Sequence, residues 1–71
     1  MNIIEKIIKR MKTEKGENGI YKILESLYKD CLEKKDYATY EIIGILLGLE
    51  YSGTITEKEN EEATKYIINI K

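Results

Sequence analysis

The sequence predicts an all-α protein, a compact bundle of three to four helices spanning about 2–14, 19–34, 37–51 and 57–70, with the third helix central. Three observations carry this expectation. No proline interrupts the 71 residues, so nothing forces a break in a long helix. Apolar residues recur at three- and four-residue spacing in every segment. Turn and cap residues divide the chain at three places, around Gly16–Gly19, Lys34–Asp36 and Ser52–Thr56. With 42% hydrophobic and 35% charged residues, the chain belongs with globular domains and not with disordered segments. Its length allows one domain with a core near the lower limit of independent stability.

The first helix opens at Asn2, with Glu5 three residues later as in a capping box. Ile3, Ile4, Ile7, Ile8 and Met11 line one face, and Lys6, Lys9, Arg10 and Lys12 fall largely on the other. The glycines and asparagine of Lys15–Gly19 suit a chain reversal. This helix is either the fourth member of the bundle or an arm on a three-helix core.

In the second helix Ile20, Leu24, Leu27 and Cys31 make a narrow seam, widened by Ile23, Tyr28 and Leu32. Glu25 with Lys29, and Asp30 with Lys34, have the spacing of helical ion pairs. Asp36 is expected to cap the third helix.

That third helix is the most apolar stretch, with no charge between Glu41 and Glu50. At about 100° per residue its apolar side chains separate into two faces. Ala38, Ile42, Ile45, Leu46 and Leu49 form one, assigned to the core. Tyr40, Ile43, Leu47 and Tyr51 form the other, with Gly44 and Gly48 beside it. A segment of this kind calls for cover on more than one side. Gly53 suits the left-handed position that ends the helix. Thr56 with Glu59 reads as a capping box for the fourth helix, whose stripe is Ala63, Tyr66, Ile67 and Ile70.

Catalysis finds little support. The chain has no histidine, hence no imidazole base or ligand. Cys31, the single cysteine, lies on an apolar seam, where a thiol behaves as a small hydrophobe. No phosphate-binding glycine loop and no carboxylate–histidine metal motif occurs. The chain is therefore expected to be non-enzymatic, without cofactor or metal. It shows no signal peptide and no membrane span, which points to a cytoplasmic protein.

Three surfaces remain as candidates. Gly44 and Gly48, one turn apart, allow another helix to approach closely. That helix is either a neighbour in the same chain or a second copy, in which case Ile43, Gly44, Leu47, Gly48 and Tyr51 form a homodimer interface. Glu57, Glu59, Glu61 and Glu62 make an acidic cluster that either solvates the helix or, with Tyr37 and Tyr40, binds a basic surface of another protein. Lys6, Lys9, Arg10 and Lys12 offer a basic strip to nucleic acid, the alternative functional reading. A helix-turn-helix built on the last two helices fails, because its recognition helix would present carboxylates to phosphates. The leading expectation is a small protein-binding module, homodimeric, of the kind that phages and mobile elements use to block a host macromolecule.

Overall fold

The computed structural model describes residues 1–15 and 19–70. Four helices follow in order: α1 (Ile3–Lys15), α2 (Ile20–Leu32), α3 (Asp36–Tyr51) and α4 (Glu57–Asn69). The expected turn through Gly16, Glu17 and Asn18, with a second-helix start at Asn18, lies outside the described residues.

Each helix packs on two others. α3 lies against α2 and α4, and α1 closes the ring by packing on the same pair. Side-chain bonds fix the directions. Asn2, at the start of α1, reaches Tyr28 late in α2 and Tyr66 late in α4. Arg10, late in α1, reaches Glu59 early in α4. Neighbours are thus antiparallel, the arrangement that short connections favour.

The core draws on every helix. Ile4, Ile7, Leu24, Ile42, Leu46 and Ile67 are the largest fully buried side chains. Two of these belong to α1, which makes it a full member of the bundle and not an arm. Ile55, in the α3–α4 connection, is buried as well. Its only sequence signal is its place just before the capping threonine. The surface area is 4649 Å², against about 4,600 Å² expected of a compact monomer of this mass. One copy therefore closes its own core.

The caps agree with the sequence at three ends and depart from it at the α2–α3 joint. The Asn2 side chain accepts from the Glu5 amide at 2.9 Å and Glu5 answers to the Asn2 amide at 3.1 Å. Thr56 and Glu59 form the same reciprocal pair. Gly53 takes φ 82°, as a C′ glycine does. The second helix, expected to reach Lys34, instead stops at Leu32, because Lys34 turns left-handed at φ 64°. The amides of Lys34 and Lys35 then return to the carbonyls of Cys31 and Asp30. Lys35, not Asp36, occupies the N-cap of α3, with no side-chain cap. Asp30 accordingly pairs with Lys35 at 3.4 Å, not with Lys34.

Candidate functional site

α3 presents two unlike faces. The inner one carries Ala38, Thr39, Ile42, Leu46 and Leu49, all buried, with Ile45 half-buried against the same core. Thr39, the one polar side chain buried with them, has its hydroxyl 3.7 Å from the Cys31 sulfur.

The outer face is open. Tyr40 is 72% exposed, Leu47 44% and Tyr51 81%, while Ile43 is half-buried at its edge. Gly44 and Gly48 are exposed between them. A Cβ built on either glycine meets nothing within 4 Å. Neither glycine is therefore there to admit a neighbouring helix of this chain. Each still costs about 1 kcal/mol relative to alanine in a helix interior, and no contact within the chain offsets that cost. The second face that the sequence led us to expect covered is not covered by this chain.

The acidic cluster is divided. Glu59 turns inward from the face shared by Glu57, Glu61 and Glu62. It caps α4 and grips Arg10 with both carboxylate oxygens, at 2.9 and 2.5 Å. The Arg10 guanidinium, with the Thr56 amide, holds the Glu59 carboxyl down at about 2. Glu57, Glu61 and Glu62 stay exposed, interleaved with Lys58 and Lys65, which makes a mixed solvated face. Because α3 and α4 are antiparallel, these carboxylates lie by the C-terminal end of α3, where Glu50 accepts from Asn60 at 2.7 Å. Tyr37 and Tyr40 stand at the other end. Tyr37 donates its hydroxyl to Asp30 at 2.8 Å, and this bond lowers the Asp30 pKa and raises that of Tyr37. The structure does not bring the two halves of the expected acidic and tyrosine-bearing surface together.

The same Arg10–Glu59 pair thins the basic strip. Lys6, Lys9 and Lys12 remain exposed, and the Lys12 ammonium lies 6.0 Å from the Tyr21 ring.

Sequence reasoning missed one polar knot. The Asn2 amide donates to Tyr28 at 2.8 Å and to Tyr66 at 3.0 Å, and the two phenol oxygens are 3.2 Å apart. Burial, followed by the bond to Tyr66, pushes the Tyr28 hydroxyl up to about 12. The cap of α1 thereby also ties α2 to α4. Asn2 was legible as a cap, but nothing local in the sequence pairs it with residues 26 and 64 positions away.

A hollow at the α2–α3 joint is lined by Cys31, Lys34, Lys35, Asp36 and Thr39 and holds about 160 Å³, and a more open one along α4, lined by Asn60, Glu61, Thr64 and Lys65, holds about 360 Å³. Among the described residues no cluster of three or more potential metal ligands occurs, and no helix is long and apolar enough to cross a membrane. Compared with family models, curated proteins and solved structures, the chain matches none.

Proposed function

We propose that this chain is a small non-enzymatic protein-interaction module whose docking surface is the outer face of α3, from Tyr40 to Tyr51. The observation that carries this reading is the pair of helix-interior glycines at the surface, flanked by exposed Tyr40, Leu47 and Tyr51 and touched by nothing in their own chain. Exposed tyrosines contribute large area at low entropic cost, and bare backbone between them admits an opposing helix. The occupant this face fits is a protein segment, neutral and apolar where it meets Ile43–Leu47. A module that works only by covering a surface blocks whatever it covers, which is the mode of action of small inhibitors carried by phages and mobile elements.

Isotope-labelled protein studied by NMR, both pure at rising concentration and in extract of its native host, tests the reading. Signals of Tyr40, Gly44, Leu47, Gly48 and Tyr51 should shift or broaden, and Leu47→Lys should abolish the change while leaving the fold intact. Signals of this face unmoved under both conditions, or changes confined to Lys6, Lys9 and Lys12, would remove it.

A further inference from the structure

Resting on the reading of this face as a docking surface, we infer that its occupant is an amphipathic helix of another protein. That helix is apolar along the line that meets Gly44 and Gly48 and carries lysine or arginine on both flanks.

Shape comes from α2 as well as α3. Asp30 on α2 accepts the Tyr37 hydroxyl of α3 at 2.8 Å, which fixes the register of the two antiparallel helices. Seven residues make about two turns, so stepping back from Asp30 and forward from Tyr37 brings Ile23 level with Gly44. Both lie on the same sides of their helices as the bonded pair. Ile23 is 54% exposed and stands clear of the glycine, where an added Cβ would meet nothing within 4 Å. Ile20, 40% exposed, continues the line toward the level of Gly48. The two glycines are thus the floor of a trough between Ile23 and the ridge of Leu47 and Tyr51. From Tyr40 to Tyr51 it runs about 17 Å, three helical turns, and its bare backbone admits a helix at close range. The described residues hold no strand whose edge could be extended, so the recognition mode is a helix laid in a groove.

Charge sets the chemistry of the flanks. α3 carries Asp36, Glu41 and Glu50 and neither lysine nor arginine. Glu41 and Glu50 lie about half a turn apart around the helix, one on each edge of the outer face. Lys22 and Lys29 of α2 lie about 100° or more round from Ile23. At the joint Lys34 and Lys35 are matched by Asp30, Glu33 and Asp36, and two of these already hold Lys35 at 3.4 Å. A cationic flank on each side of the occupant therefore meets a carboxylate, and an anionic one is repelled. A second copy offers no such helix. Its lysine-bearing helix, α1, has Ile4, Ile7, Ile8 and Met11 buried in the core and no exposed large apolar side chain to set beside Lys6, Lys9 and Lys12.

A designed peptide tests this. It is a capped, alanine-based helix of about eighteen residues, with leucine at i, i+3, i+4 and i+7 spacing and lysine on both flanks. Its control has glutamate in place of every lysine. Titrated by NMR, the lysine peptide should shift Ile23, Gly44, Leu47 and Gly48, bind about tenfold more tightly than the control and weaken as salt rises. Glu41→Lys should weaken the lysine peptide by up to about fivefold, the range of one exposed pair, and strengthen the control. Equal affinity for the two peptides, shifts confined to other faces, or no binding of either at millimolar concentration would overturn the proposal. Docking of a different segment would still register in the extract experiment above. Shifts of this face in pure protein at rising concentration would identify a second copy as the occupant and overturn it as well.

Discussion

Arg10 and Glu59 show how one contact reassigns two residues at once. Each sits at a surface position by helical spacing, one in a basic strip and one in an acidic cluster. Folding brings them together across α1 and α4 with a two-pronged bond, the strongest form of such a pair. Sequence spacing describes a single helix and cannot report which charges another helix will meet. The pair has a testable pH signature. Glu59 binds a proton less readily in the folded chain, at about 2, than in the unfolded chain, at about 4.3. The stability it contributes is thus complete above the unfolded value and is lost as pH falls through about 4 toward 2. Glu59→Gln should cost about 1 kcal/mol at neutral pH, the upper end for an ion pair at a protein surface. Its melting temperature should also vary less than wild type between those acid limits. Tyr28 gives the opposite arm. Its hydroxyl is raised to about 12 from an unfolded value near 10, so its contribution is present below about pH 10 and lost as pH rises through 12. Tyr28→Phe should flatten alkaline unfolding, as followed by circular dichroism.

At the scale of the element, helix existence and most of the inward stripes were legible because period and caps are local, but Ile20, Ile23 and Leu32, expected on the seam of α2, are exposed, and only Leu24, Leu27, Tyr28 and Cys31 of that seam are buried. The split of α3 into Ala38–Leu49 and Tyr40–Tyr51 faces was read correctly, since 3.6-residue geometry alone decides it. Which face is covered was not legible, because that depends on the neighbours. The α2–α3 joint was misplaced for a related reason: the left-handed residue there is Lys34, which carries none of the glycine signal that made Gly53 readable. A lysine in that conformation costs about 1–2 kcal/mol. Lys34→Gly should recover about 1 kcal/mol, less the added freedom of the unfolded chain, and raise the denaturation midpoint without changing its slope. Capping is worth a comparable amount at Thr56, where Thr56→Ala should cost about 1 kcal/mol.

The whole molecule is a closed ring of four helices with a surface area that needs no partner, and with one face left over. α1 belongs to that ring because Ile4 and Ile7 are fully buried. The sequence showed these residues as one apolar stripe but held nothing to say whether they close the bundle or stand apart from it. α3 is the element on which the rest is arranged, packed on α2 and α4, and it also supplies the face through which we propose the chain acts. On our proposal the glycines on that face link stability to association. Gly44 and Gly48 weaken the monomer by about 1 kcal/mol each, and no contact of their own chain offsets that cost. The most direct test is thermal unfolding without and with the lysine-flanked peptide at millimolar concentration, for wild type and for Gly44→Ala/Gly48→Ala. Wild type should melt higher with the peptide, as binding to the folded state requires. The double variant should melt above wild type without the peptide, by about 4–8 °C per kcal/mol recovered, and gain less from adding it. A wild-type melting temperature indifferent to the peptide, or a double variant less stable than wild type on its own, would contradict the account.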